Sequence, residues 1–269
     1  MLGIGEDTED SASTARVCPS DMPTQAEAAA GYTDLMVACR DGAADAVAVH
    51  LAAGGMFAAD ARNARGSTSL IVASAQGATD CVVLLLAANA AVDLTNAGGL
   101  TALMAAAAGN HASTVAALVA AGANTEAATS TGVTSLILAC QKGQSQSVGA
   151  LLKAGAATKA ATADGNTALL FACSLGHVAI VRQLAAAGAD VDATTSADQS
   201  SGLMLASAKG DAATVDALLS ASADVHLQRK HGSMVKVQAG QCPSSARAPP
   251  QGTPGGSERL GTPKKRPTH

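Results

Sequence analysis

Residues 165–177 read Gly-Asn-Thr-Ala-Leu-Leu-Phe-Ala-Cys-Ser-Leu-Gly-His, and residues 187–192 read Ala-Gly-Ala-Asp-Val-Asp. The first stretch has copies. Gly66, Gly99, Gly132 and Gly165 stand 33 residues apart, and two residues after each comes Thr68, Thr101, Thr134 or Thr167. Leu70, Leu103, Leu136 and Leu169 lie two further on, and Ala73, Ala106, Ala139 and Ala172 three beyond those. The frame runs back to Gly31, Thr33, Leu35 and Ala38 with two extra residues, and forward to Leu203 and Ala206 with one. Six units start near residues 31, 66, 99, 132, 165 and 199. Such a period marks a stack of similar supersecondary units.

Within a unit, the Thr is a good helix N-cap, because its hydroxyl accepts from an orphan backbone amide. A short apolar helix follows. Gly42, Gly77, Gly143, Gly176 and Gly210 end it, with Asn110 in the third unit. Both residue types tolerate the left-handed conformation a helix end requires. A second helix carries Val and Leu at helical spacing, as in Val82, Leu85 and Leu86 or Val148, Leu151 and Leu152. It ends at Gly54, Asn89, Gly122, Gly155, Gly188 and, more weakly, Ser222. The reading is all-α: stacked helix-turn-helix units with projecting loops.

Helix, turn, helix and loop at this period resemble the ankyrin-repeat family, most clearly in the two stretches quoted. The resemblance spans residues 31–231 and implies a solenoid that binds a protein partner on its concave face. Some family residues are missing. Asp34, Ser69, Ala102, Ser135, Ala168 and Gly202 stand where the family has Pro after the Thr. Met36, Ile71, Met104, Ile137, Leu170 and Met204 replace its His, so its Thr–His hydrogen bonds cannot form and the loop loses a tether. Large side chains are scarce, with one Tyr, two Phe and no Trp. Each interface therefore buries modest area, and a marginal stack that frays at its outer units is expected.

Charge divides the chain in three. Residues 1–30 hold six acids and one base, residues 31–231 fourteen acids and ten bases, and residues 232–269 six bases and one acid. The first segment reads as acidic and mostly disordered, with a turn of helix expected over Thr24–Ala30; the last reads as a disordered, basic Pro/Gly-rich tail. A mildly acidic folded part argues against a nucleic-acid groove. No apolar run suits a membrane span, and no secretory signal opens the chain. Six scattered cysteines do not make a disulfide framework, so an intracellular, cytoplasmic setting is expected. Lys264-Lys265-Arg266 leaves nuclear targeting open.

No residue pattern calls for chemistry. Cys39, Cys140 and Cys173 share one repeat position and read, like Cys81, as small core side chains. His111 and His177 follow helix-ending residues and read as local packing. Asp190 and Asp192 read as solvated turn residues. Neither a metal nor a cofactor is implied, and the chain is read as a non-enzyme. The resemblance places a partner against the loop tips and first-helix ends, at Tyr32, Arg40, Asp41, Arg65, Gln76, Gln141, Lys142, Asn166 and Lys209. Tyr32 and Arg40 carry the most weight, since Tyr and Arg are enriched in interface hot spots. The expected function is a monomeric adaptor that binds a protein partner. Two alternatives stay open: the targeting or regulatory part of a larger enzyme, and a membrane–cytoskeleton linker.

Overall fold

Thr33, Thr68, Thr101, Thr134 and Thr167 take extended backbone, and each side chain accepts from the N–H three residues on. Those caps start the first helices of the units. The computed structural model describes residues 31–54 and 59–227. The expectations for residues 1–30 (with Cys18), Phe57, and the tail from 232 (with Cys242) lie outside the described residues, as does His231.

The helices in chain order are α1 Asp34–Asp41, α2 Ala44–Gly54, α3 Ser69–Gln76, α4 Thr79–Ala87, α5 Ala102–Ala108, α6 Ala112–Ala120, α7 Ser135–Lys142, α8 Ser145–Lys153, α9 Ala168–Leu175, α10 Val178–Ala186, α11 Gly202–Lys209 and α12 Ala212–Ser220. The protein is all-α among the described residues. Each first helix packs on the next first helix, and each second helix on the next second helix. Among the described residues two layers of six helices result, with the core between them. The loops project as hairpins, closed by single antiparallel bridges at Ala128–Thr134, Ala161–Thr167 and Thr194–Ser201.

The sixth unit keeps the device with other residues. Ser201 replaces the Thr and accepts from Met204 N–H at 3.4 Å. Gln199, at φ 56°, takes the left-handed position that Gly holds elsewhere. The residues in place of the family's His are buried, from Met36 at 0 % to Ile71 at 5 %. They trade a tether for core volume. The loops are tied in another way: Asn63, Asn96, Thr129, Thr162 and Thr195 stand at one position. Each side chain accepts from backbone amides across its own turn, as Asn63 Oδ1 does from Arg65 and Ser67 at 3.0 Å.

Asp192, read as a solvated turn residue, also ties its loop to the next one. Its Oδ1 accepts from Asp224 N–H in the following loop at 2.7 Å. Asp60, Asp93 and Glu126 make the same tie to Ala91, Asn124 and Ala157, at 2.9–3.0 Å. Lys159 occupies the equivalent place in the fourth unit and has no acceptor to offer Asp190 N–H. Lys159→Asp completes the ladder. A charge-assisted bond at an exposed site stabilises by about 0.5–1 kcal/mol. The expected result is a higher urea midpoint with an unchanged m-value, read by circular dichroism.

The first unit carries a second local weakness. Leu85, Leu118, Leu151, Leu184 and Leu218 are fully buried at one second-helix position, which His50 takes in α2. Its Nε2 is buried with no hydrogen-bond partner. An unmet polar atom costs about 1–3 kcal/mol. His50→Leu is therefore expected to raise the protection of α1 and α2 in hydrogen exchange, and to leave α9–α12 unchanged.

Candidate functional site

The first helices start at the hairpins, where Thr134, Thr167 and Ser201 both cap a helix and close a bridge, and their C-terminal turns lie at the other end. Of the residues expected to meet a partner, Arg40, Asp41, Gln76, Gln141, Lys142 and Lys209 lie at the C-terminal turns and Tyr32, Arg65 and Asn166 at the loops before the helices, and their neighbours differ. Tyr32 is half-buried and packs on the core. The Arg40 guanidinium is engaged by Asp41, with Nε–Oδ1 at 2.7 Å and Nη2–Oδ2 at 3.0 Å. That hydrogen bond holds Arg40 still more firmly in its charged form. Tyr32 and Arg40 are thus partly spent within the first unit.

Arg65 is exposed, but its backbone is fixed: its N–H donates to Asn63 Oδ1, and its carbonyl accepts from Ala97 N–H of the next hairpin at 3.0 Å. Asn166 is half-buried at a hairpin, with its N–H on Thr162 Oγ1 at 3.2 Å. Gln76 and Lys142 are exposed at the ends of α3 and α7, and Gln141 is half-buried beside Lys142. Lys209 is exposed, yet its Nζ donates to the carbonyls of Leu175 at 2.8 Å and Ser174 at 3.3 Å. It therefore caps the end of α9 from the following unit, where a cation also meets the negative end of the helix dipole.

His111 acts across units rather than locally. Its Nε2 lies 3.2 Å from the Ala75 carbonyl of the preceding unit. Gln144 repeats the contact at 3.0 Å on the Ala108 carbonyl. His177 instead lies against Gly143, where a Cβ would come within 2.8 Å of the ring.

The thiols are core. Burial pushes those of Cys39, Cys140 and Cys173 up to about 12, so they stay protonated and unreactive in the folded state. Asp211 caps α12: its Oδ1 accepts from Thr214 N–H and its Oδ2 from the Thr214 hydroxyl. Those bonds hold its carboxyl below the usual range. Its contribution to stability is thus present above the ordinary carboxylate pKa and lost as pH falls through the lowered one. No group of three His, Cys, Asp or Glu among the described residues is placed to hold a metal ion. No helix there is long and apolar enough to cross a membrane.

The repeat frame puts Leu175 on this face from sequence, but sequence reasoning gave no weight to what is its largest exposed apolar side chain. Leu175, the last residue of α9, is 44 % exposed. Leu138, Phe171 and Leu205 share one repeat position near it and are half-buried. The same position in the first two units, Val37 and Val72, is 0 % and 7 % exposed. On the second-helix face, Ser113, Ala116, Ser145, Gly149, Lys153 and Gln183 line a groove left by small side chains.

A family model described as ankyrin repeats (3 copies) matches residues 70–162 and 154–229. Among solved structures, the chain is similar to the human ASB11 ankyrin repeat domain, with 21 % identity and a TM-score of 0.68. That alignment covers 76 % of this chain and 90 % of the other, and it bears on fold alone. No curated protein sequence matches the chain. Repeat period, caps, two-layer stacking and family match agree, and the chain belongs to the ankyrin-repeat family.

Proposed function

We propose that the stack is a non-enzymatic adaptor that holds a protein partner on the face formed by first-helix ends and hairpins. Ankyrin repeats are in general protein–protein interaction modules. One observation carries the specific reading: the half-buried Leu138, Phe171 and Leu205 repeat in successive units beside the exposed Leu175, with Lys142 and Lys209 at its edges, and contiguous apolar surface rimmed by polar groups marks contact sites. The adaptor works as a monomer inside the cell, without a cofactor, and its protonated core thiols suit a reducing compartment. Tyr32, Arg40, Asp41, Arg65, Gln76, Gln141, Lys142, Asn166 and Lys209 frame the surface.

The test is affinity capture from native lysate with the full chain, read by mass spectrometry. Two first-helix variants, Tyr32→Ala/Arg40→Ala and Gln141→Ala/Lys142→Ala, are compared with a second-helix control, Gln146→Ala/Arg182→Ala. The expected result is a partner kept by the control and lost by at least one first-helix variant, all three remaining folded. A partner lost by the control alone would move the site to the opposite layer and end this reading.

A further inference from the structure

The first-helix face is not uniform. In units four to six each first helix ends in an i, i+4 pair on one side: Leu138 with Lys142, Phe171 with Leu175, Leu205 with Lys209. In units one to three the same pairs are Val37 with Asp41, Val72 with Gln76 and Ala105 with Gly109. At these pairs one half is thus apolar and cationic and the other small, neutral or acidic, with Arg40 beside them engaged by Asp41.

The geometry points to units four to six as the dock for one kind of partner, a peptide segment whose large apolar side chain is flanked on both sides by carboxylates. This rests on the adaptor reading and names its ligand class. Lys142, Leu175 and Lys209 hold one repeat position in three successive units. Neighbouring helices pack about 10 Å apart, which sets the Lys142 position about 10 Å from the exposed Leu, whereas the Lys209 ammonium is drawn in to 2.8 Å from the Leu175 carbonyl. A complementary chain needs, on the Lys142 side, an acid about three residues from its apolar anchor if extended, or about seven if helical, and on the Lys209 side an acid close beside the anchor.

The fixed polar groups of the patch fit this charge pattern. Lys209 donates to the Ser174 and Leu175 carbonyls, which holds its ammonium beside Leu175. Asp211 is close enough to feel that charge, but its oxygens are taken by Thr214. Asp198 accepts from the hydroxyls of Thr195 and Ser200 at 2.6 Å. Asp164, exposed in the hairpin before unit five, lies beyond the opposite end of α9 from Leu175. Phe171 and Leu175 supply the apolar seat, where one buried anchor dominates affinity. Nucleic acid fits poorly, since acids outnumber bases over residues 31–231.

The probe is a displayed library of short random peptides, panned on the full chain. Enriched peptides are expected to carry a large apolar residue with Asp or Glu at the stated distances. Leu175→Asp, confirmed folded by circular dichroism, should weaken the best peptide at least about tenfold. Lys142→Glu should weaken it too and flatten its salt dependence, while Arg40→Ala should change nothing. Three outcomes would overturn the proposal: no enriched peptide, enriched peptides without acids, or affinity untouched by both Leu175→Asp and Lys142→Glu. Peptides that instead depend on Tyr32 and Arg40 would overturn it and leave the adaptor reading standing.

Discussion

Leu136→Ala is expected to cost about 3 kcal/mol and to break one unfolding transition into two. Leu136 is 1 % exposed between α7 and its neighbours, and Leu-to-Ala changes in packed cores cost about 2–5 kcal/mol. Position sets the consequence. Leu35, Leu70, Leu103, Leu136, Leu169 and Leu203 occupy the same repeat position, all at 3 % exposure or less. The local loss is therefore comparable in every unit. A solenoid, however, sums the stabilities of its units and of nearest-neighbour interfaces. A lesion in the fourth unit weakens both of its interfaces and uncouples units one to three from five and six. The same lesion at Leu203, in the sixth unit, has one inner neighbour to affect.

Hydrogen exchange with urea melts separates the cases. Leu136→Ala should lower protection in α5–α10 and give a biphasic melt. Leu203→Ala should lower protection most in α11 and α12, less in α9 and α10, and leave the main midpoint within about 1 kcal/mol. Equal loss in all helices from both variants would show a single cooperative core and end the one-dimensional picture.

The repeat was legible because its determinants are local. A Thr hydroxyl caps the amide three residues on, and a Gly at a helix end takes positive φ, as Gly77 does at 72°. Both can be read within a few residues. The frame placed Gln199 and Ser201 once one extra residue was allowed, but their roles were not read, because a Ser hydroxyl and a Gln in left-handed conformation do the same tasks under other names. The acid ladder of Asp60, Asp93, Glu126 and Asp192 keeps the period of 33 in sequence. Its purpose stays hidden when each unit is read alone, because the amide it serves lies in the next one.

The partner face was legible as a set of positions and not as a ranking. Weight fell on Tyr32 and Arg40 because of their residue types. Asp41, the next residue in sequence, is what occupies Arg40. Leu175 has the opposite history. Its repeat position puts it on the partner face from sequence, but a Leu within an apolar helix drew no weight there; its place one residue before the helix-ending Gly176 leaves it 44 % exposed.

Gly132→Ala, at a hairpin tip, is expected to cost about 3 kcal/mol, and Gly122→Ala about 1 kcal/mol. Both glycines have positive φ, 79° and 87°, so each Ala bears the left-handed penalty of roughly 1–2 kcal/mol. They differ in surroundings. A Cβ on Gly122 meets no atom within 4 Å. A Cβ on Gly132 meets Ala161 O at 3.0 Å, Thr162 Cα at 3.1 Å and Ala163 N at 3.2 Å, all backbone of the following hairpin. Backbone yields less readily than a side-chain tip, so the hairpins must move apart. The bond from Ala163 N–H to the Thr131 carbonyl, 3.0 Å long, is then strained or lost. The difference between the two costs isolates the steric part, because the conformational part is shared. Urea melts of both variants give that difference directly. If it is near zero, the hairpins of units four and five are not held in contact, and the close approach at Gly132 contributes nothing to stacking. If it is near 2 kcal/mol, the hairpin row is a rigid edge, and the partner face it borders is preformed.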